Sequence, residues 1–303
     1  MLQIVIVSWN TRELLKTCLE SVFADAESGP IEVWVVDNAS TDGSQEMVRR
    51  AFPQVVLVEN LANLGFAPAN NLAIRRGEAE FVLLLNSDTQ VLPGALGKMA
   101  AFMQAHPSAG AAGPRISNPD GSLQTSCYPM PTLGREFWRL FHLDRLRPYG
   151  SYRMDRWSTA GERKVDVLLG ACLLLRRSAL DEIGLLEESY FMYSEDLDIC
   201  YRLARRGWEA YWLPQAEIVH FGGQSTRQAA GPMFLRLYRS KLEFFQRHHG
   251  RPAAFFYKMV LLSASLARLA LSPLAWLLPS PDRSRRLELA HNYRRLVREL
   301  FAW

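Results

Sequence analysis

EFVLLLNSD, residues 80–88, decides how this chain is read. Five apolar residues run without a break and then stop at two polar side chains and a carboxylate. A short apolar run that does not alternate is the pattern of a strand buried on both faces. Three comparable runs precede it: QIVIVSW at 3–9, IEVWVVD at 31–37 and QVVLVEN at 54–60. Helical patterns separate them. Leu14, Leu15, Cys18, Leu19, Val22 and Phe23 recur at helical spacing, TDGSQEMVRRAF (41–52) reads as a turn and helix, and PANNLAIRRG (68–77) as another helix. PGALGKMAAFMQAH (93–106) follows the run at 80–88 in the same style. Strand and helix in alternation predict an α/β fold with a doubly wound, mostly parallel sheet.

In such sheets ligands bind beyond the carboxyl ends of the strands. The first run ends in Ser8-Trp9-Asn10-Thr11, the second in Asp37-Asn38-Ala39-Ser40 and the fourth in Asn86-Ser87-Asp88. Asp and Ser at these places also serve as helix N-caps. Two acids on one rim, with neither GxGxxG nor GxxxxGK[ST] in the chain, point instead to a different kind of nucleotide site. Asp88 is a candidate ligand for Mg²⁺ or Mn²⁺, which take one or two carboxylates plus substrate phosphates. His220 ends the apolar run AEIV, just before Phe221-Gly222-Gly223, and is either a second ligand or an ordinary strand-end histidine.

The helical stretch from Glu195 carries the other candidates. Advancing about 100° per residue puts Leu197, Ile199, Cys200, Tyr201, Leu203 and Ala204 on one arc. Asp196 falls inside it, while Glu195, Asp198, Arg202, Arg205 and Arg206 take the opposite arc. Asp198 and Arg202 then read as a surface i,i+4 ion pair. An inward carboxylate is costly unless paired or functional, so Asp196 is a candidate general base as well as a candidate helix cap.

Composition bounds the rest. With 303 residues, 49% hydrophobic and 22% charged, the chain is globular and holds one large domain or two modest ones. Cys18, Cys127, Cys172 and Cys200 are far apart, which predicts buried thiols in a reducing compartment. The opening MLQIVIVSWN reads as a strand and lacks the order of a signal peptide, so a cytoplasmic location is expected. Residues 227–303 hold 14 Lys/Arg against 4 Asp/Glu, whereas residues 1–226 carry a net charge of −6. This divides the chain into a site-bearing domain at 1–226 and a basic, apolar helical tail at 227–303. The tail contains FFYKMVLLSASLARLALSPLAWLL at 255–278, which is unlike a nucleic-acid binder. Lys258, Arg268 and Pro273 interrupt it, and a charge near the centre of a spanning helix costs about 2.5–3.5 kcal/mol. An interfacial helix on an anionic membrane surface, with the basic residues facing headgroups, fits better than a soluble helical subdomain or a span. SNPDGSLQTS (117–126) reads as a hairpin turn, and GREFWRLFHLDRLRPYGSYR (134–153) as an acceptor contact or a pair of amphipathic helices.

Six segments, in order, resemble glycosyltransferase family 2 with the GT-A nucleotide-diphospho-sugar transferase fold. They are IVIVSWNTRELLKTCLESV, VWVVDNASTDGS, NLGFAPANN with LLLNSDT, GACLLLRRSAL, YFMYSEDLDICYRLARRGW and IVHFGGQST. LNSDT, EDLDIC and HFGGQS are most similar to the rhamnosyltransferase branch, which uses dTDP-L-rhamnose. The resemblance implies that Trp9, Asn10 and Thr11 line the base pocket and that Asp37 accepts a hydrogen bond from a pyrimidine. Asn63, Gly65 and Asn71 would approach the ribose, diphosphate or sugar, alongside Asn38 and Ser87. Asp88 with His220 would hold a divalent cation on the diphosphate, Asp196 would be the general base, and Glu195 would orient the acceptor hydroxyl. Asn86 stands where the family's DxD pattern has its first acid, which leaves Asn86 as a contact either to metal or to sugar and ribose. The implied reaction is inverting transfer of a sugar to a saccharide or lipid-linked saccharide in cell-surface polysaccharide synthesis. Two other readings use the same residues: a metal-dependent nucleotidyl- or phosphotransferase, and a non-catalytic nucleotide-sugar-binding membrane scaffold.

Overall fold

The computed structural model describes residues 1–25, 29–223, 230–272 and 283–303. Its chain divides into two compact units, Met1–Met130 with Arg153–Gln228, and Pro131–Tyr152 with Ala229–Trp303. The segment at 131–152 therefore belongs with the C-terminal helices, although the change in charge and composition comes only at residue 227.

In the first unit the expected alternation is present. The elements are β1 (Leu2–Ser8), α1 (Arg12–Ala24), β2 (Ile31–Asp37), α2 (Ser44–Ala51), β3 (Val56–Glu59), α3 (Phe66–Ile74), β4 (Phe81–Asn86), β5 (Thr89–Val91), α4 (Ala95–Ala105) and β6 (Ala109–Ser117). β1, β2, β3 and β4 pair in parallel, in the order β3-β2-β1-β4. Both faces of β1, β2 and β4 are covered, which is why these runs do not alternate, whereas β3 lies at the sheet edge and is partly exposed. Ile4, Ile6, Val33, Val35, Leu83 and Leu85 pack with Leu15, Leu19 and Val22 of α1 and Leu96, Met99 and Met103 of α4. α3 lies on β1 and β2. Each such aliphatic side chain contributes roughly 1.5–3 kcal/mol on full burial.

The second half of the sheet is mixed. β7 (Cys127–Tyr128) pairs only with β9 (Val167–Leu168), and β8 (Arg163–Val165) with β11 (Glu209–His220). β10 (Cys172–Arg176) inserts antiparallel between β4 and β6, and β11 runs parallel to β6. Two reversals restore the direction, so β6 and β11 end on the same edge as β1, β2 and β4. β5 pairs antiparallel with β11 at the far side of the sheet. All four cysteines are buried and free, as expected, and burial pushes the Cys18 thiol up to about 12.

α6 (Arg177–Ile183) and α7 (Glu195–Arg205) complete this unit. The wet face expected of α7 is confined to its C-terminal end, where Arg205 and the following Arg206 are exposed, while Glu195 and Asp198 are buried. One side packs on β9, β11 and β6, and the other on α6. Asp198 is fully buried rather than exposed, and its Oδ2 accepts from Arg202 Nε at 2.7 Å. Arg202 also donates to the carbonyls of Ile183, Gly184 and Leu185, so the pair clamps the segment after α6.

The second unit holds α5 (Leu133–Leu140), α8 (Ala230–Leu271) and α9 (Arg283–Leu300), with α5 and α9 each packed on α8. α8 is interrupted at Gly250 (φ 82°, ψ 172°), two residues before Pro252. Among the described residues, Gly231–Leu271 is the one helix long and apolar enough to cross a membrane by length and composition. Lys258 and Arg268, expected to face headgroups, turn inward instead. Lys258 Nζ donates to the Trp303 carbonyl at 2.9 Å, and Arg268 donates to the Leu140 carbonyl and lies over the Tyr293 ring. Pro273 and the rest of the apolar stretch to 278 lie outside the described residues.

Candidate active site

The carboxyl edge of the sheet gathers most of the residues singled out above. Asn38 N–H donates to the Ser8 carbonyl at 2.8 Å, which closes the β1 end onto the β2 end. Asn10 and Ala39 both sit at positive φ (52° and 63°), an uncommon conformation for residues with a side chain. Asn10 N–H donates to Ser40 Oγ at 2.9 Å, and its own Oδ1 accepts from Thr41 N–H at 2.8 Å. Trp9 is half-buried on this rim. The hydroxyls of Ser8, Thr11 and Ser87 form a buried chain, with contacts of 3.0 and 2.9 Å, that ties the β1 end to the turn after β4.

Asp37 is fully buried. Its Oδ1 accepts from Ser40 N–H (2.9 Å) and Gln45 Nε2 (2.7 Å), while Oδ2 has no hydrogen-bond partner. A buried, unmatched carboxylate oxygen is costly in isolation and suits a ligand N–H. Gln45 is a residue that the sequence does not announce, because only the closure of α2 onto β2 brings its amide to Asp37.

Asp88 and His220 meet through backbone register. His220 stands opposite Thr89 in the β11–β5 pairing, and Phe221 N–H donates to the Asp88 carbonyl at 2.9 Å. His220 Nε2 then lies 3.3 Å from Asp88 Oδ1 and 3.4 Å from Asn86 Nδ2, with both Asp88 and His220 buried. His220 Nδ1 is 2.6 Å from Gln124 Oε1. No group of three or more His, Cys, Asp or Glu side chains converges among the described residues, so a cation here would have Asp88 and His220 alone of these residue types as ligands. That donor set suits Mn²⁺ or Mg²⁺ completed by phosphate oxygens. Gly222 and Gly223 follow at positive φ, and residues 224–226 of the same motif lie outside the described residues.

Asp196 lies at the same corner. Its Oδ2 accepts from Gly170 N–H at 3.0 Å and its Oδ1 from Leu197 N–H at 2.8 Å. The next residue, Ala171, accepts from Asn86 N–H at 2.9 Å, so the Gly170-Ala171 dipeptide bridges Asp196 to the β4 end. Asp196 is only half-buried, which corrects its inward placement on the helical wheel. The inward acid is Glu195, 7% exposed, with Oε2 unmatched. Burial, and then the charges of Asp196 and Asp198, push its carboxyl up to about 8. Tyr193 and Ser194, immediately before α7, are both left-handed (φ 69° and 68°), a strain of about 1–3 kcal/mol each.

Four residues implied by resemblance make contacts within the scaffold. Asn71 is buried, with Nδ2 donating to the Leu186 carbonyl and Glu188 Oε1 and with Oδ1 accepting from Leu186 N–H. Its amide is fully engaged in holding 186–188 and is not turned to a donor. Asn38 Nδ2 donates to the Gly65 carbonyl, and its Oδ1 accepts from Asn60. Asn63 Oδ1 accepts from Gly65 N–H, which shapes that turn. Gly65, at φ 90°, lets the Phe191 carbonyl approach, and Phe66 N–H donates to that carbonyl at 2.9 Å.

Residues 3–184 match the model of glycosyl transferase family 2. The chain belongs to that family. This glycosyltransferase is 34% identical over 269 residues to the N-acetylglucosaminyl-diphospho-decaprenol L-rhamnosyltransferase of Mycobacterium tuberculosis, covering 82% of this chain and 85% of the relative. It is 22% identical over 257 residues to rhamnosyltransferase WbbL of Escherichia coli, covering 82% and 93%. In fold it resembles the mannosyltransferase PcManGT of Pyrobaculum calidifontis, solved in complex with GDP-Man and Mn²⁺. The TM-score is 0.58 at 20% identity, over 99% of this chain and 84% of that one. The glycosyltransferase thus has the GT-A architecture expected from its motifs, and the nucleotidyltransferase and scaffold readings fall away.

Proposed function

We propose that this glycosyltransferase moves L-rhamnose from dTDP-L-rhamnose to a hydroxyl of a lipid-linked saccharide, with inversion, at the inner face of the cytoplasmic membrane. The observation that carries the reading is the 34% identity across 82% of the chain to a protein whose name gives both the sugar and a diphospho-decaprenol acceptor. Trp9, Asn10 and Thr11 frame the base, and Asp37 Oδ2 accepts its imide N–H while Ser40 and Gln45 hold the other oxygen. Asn86 contacts the sugar or ribose. Asp88 and His220 hold a divalent cation, Mn²⁺ or Mg²⁺. The Mn²⁺ bound with GDP-Man in the Pyrobaculum structure supports this, as does the approach of His220 Nε2 to Asp88 Oδ1 at 3.3 Å. When bound, the cation would neutralise charge developing on the departing nucleotide diphosphate.

Asp196 takes the proton of the acceptor hydroxyl as its oxygen bonds to the anomeric carbon and the bond from that carbon to the diphosphate breaks. Its partial exposure suits this role, and two backbone hydrogen bonds fix the orientation of its carboxylate. Glu195, neutral below about pH 8, orients the acceptor as a hydrogen-bond donor. On α8 the exposed Phe255, Phe256, Leu266 and Leu271, with the exposed Arg236, Arg247 and Arg251, suit contact with an anionic membrane.

Asp196→Asn is expected to slow transfer by about 10²–10⁴-fold. Calorimetric binding of dTDP-L-rhamnose should stay unchanged in that variant. Transfer at the wild-type rate would sink the assignment of the base. A screen of dTDP-, UDP- and GDP-sugars for metal-dependent hydrolysis tests the donor, and preference for a UDP- or GDP-sugar would overturn it. Replacing Phe255 and Phe256 with Ser in the full chain should weaken sedimentation with anionic vesicles.

A further inference from the structure

The hairpin after β6, legible in the sequence only as a turn, carries a chain of hydrogen bonds with a fixed direction. It begins at Asp120, whose Oδ1 accepts from Ser122 N–H at 2.9 Å and from Ser122 Oγ at 2.6 Å. A carboxylate only accepts, so the Ser122 hydroxyl proton points to it and Ser122 Oγ is left as an acceptor. Asn118 Nδ2 donates to that oxygen at 2.9 Å, which turns Asn118 Oδ1 toward Gln124. Gln124 Nε2 donates to Asn118 Oδ1 at 2.8 Å, so Gln124 Oε1 is the atom that faces His220 Nδ1 at 2.6 Å. An amide oxygen cannot donate, so Nδ1 carries the proton, and in the neutral ring Nε2 then holds the lone pair. On the other side of the ring, Asn86 Nδ2 at 3.4 Å is a donor and calls for a bare Nε2, while Asp88 Oδ1 at 3.3 Å is an acceptor that a cation between the two would separate from the ring.

The hairpin does not need these side chains in order to close. Asn118 N–H donates to the Ser122 carbonyl, Gly121 N–H to the Asn118 carbonyl and Gln124 N–H to the Ile116 carbonyl. The Gln124 side chain instead reaches from the β6 hairpin to the end of β11. A metal-binding imidazole commonly donates its other N–H to an oxygen that fixes its tautomer and orientation.

We propose that Gln124, oriented by Asn118, Ser122 and Asp120, is the positioning residue that holds His220 as its Nδ1–H tautomer and aims bare Nε2 at the cation shared with Asp88. The cation half of this proposal rests on the metal reading above, whereas the tautomer half does not. Three full-length proteins decide it: wild type, Gln124→Leu, which removes the acceptor, and Gln124→Glu, which keeps one. In metal-free protein with ¹⁵N-labelled histidine, and His220 assigned by its loss in His220→Gln, the wild type should show the Nδ1–H tautomer. Gln124→Leu should show a mixture. Mn²⁺ affinity in the presence of dTDP, followed by electron paramagnetic resonance, should fall about 10- to 100-fold in Gln124→Leu and recover in Gln124→Glu. The melting temperature and metal-free dTDP binding should be unchanged. An Nε2–H tautomer in the wild type, or equal Mn²⁺ affinity in wild type and Gln124→Leu, overturns the proposal. Failure of the metal reading looks different: wild type and Asp88→Ala would then bind Mn²⁺ equally weakly. That result removes the cation half, and the ¹⁵N spectrum still decides the tautomer half.

Discussion

Glu136 in the helical unit and Glu195 on α7 are both carboxylates with little exposure, 3% and 7%. Burial would raise either one. At Glu136 the Lys241 and Arg139 cations overcome burial and hold the carboxyl below its usual range. Lys241 Nζ donates to Oε1 at 3.0 Å and Arg139 Nη2 to Oε2 at 2.6 Å, so both oxygens are matched. At Glu195 the neighbouring charges are Asp196 and Asp198, Oε2 has no partner, and the carboxyl rises to about 8. The same residue type is thus a neutralised strut in one unit and an uncompensated acid in the other. Uncompensated acids with displaced pKa values are what reacting sites accumulate, and matched ones are what scaffolds accumulate.

The largest expected effect tests the strut. Glu136→Gln leaves two cations facing a neutral amide, and a urea titration should show a loss of about 3–5 kcal/mol. An unchanged midpoint would erase the contrast. Next comes the loop that leads into α7. Gly65→Ala puts a Cβ into the Phe191 carbonyl at a positive-φ position. Strain of about 1–3 kcal/mol should follow, with transfer lost more steeply than stability as 191–194 shifts. The smallest effect is the most diagnostic. Glu195 keeps its proton in the folded chain up to about pH 8, against 4.5 for an ordinary glutamate. The folded state therefore binds more protons between those values, and stability falls as pH rises through that window. Glu195→Gln should flatten that fall, matching the wild type near pH 5 and melting higher near pH 8.5. Melting curves that stay parallel would mean that Glu195 is ionised throughout.

Much of this arrangement is legible in residue order, for identifiable reasons. β1, β2 and β4 announce themselves because a strand covered on both faces has no wet side to interrupt its apolar run. Asp37, Asp88 and His220 are found by looking just past such runs. What brings Asp88 to His220 is the three-residue strand β5 pairing across to β11, a contact between segments some 130 positions apart that no local pattern encodes. The α7 reading fails at Asp196, Glu195 and Asp198 because a helical wheel supposes one dry face and one wet face, and α7 is covered on two sides. Asn38 and Asn71 look like ligand contacts in a motif, yet their amides are turned onto neighbouring backbone. Gln45 and Gln124 carry no signal of their own, since an amide acquires a role only from what the fold sets opposite it.

The pairing of His220 with Thr89, closed by the Phe221 N–H on the Asp88 carbonyl, means that backbone and not side chain sets the separation of the two proposed ligand positions. On that proposal, either side chain can be exchanged without disturbing the strands. An aspartate at 220 would trade a nitrogen donor for an oxygen on a shorter side chain, and a histidine at 88 the reverse on a longer one, while the strands keep their pairing. On the same proposal, the choice between a harder and a softer cation is one substitution away at this corner and largely uncoupled from folding, because the sheet is not rebuilt when a side chain at its edge is changed.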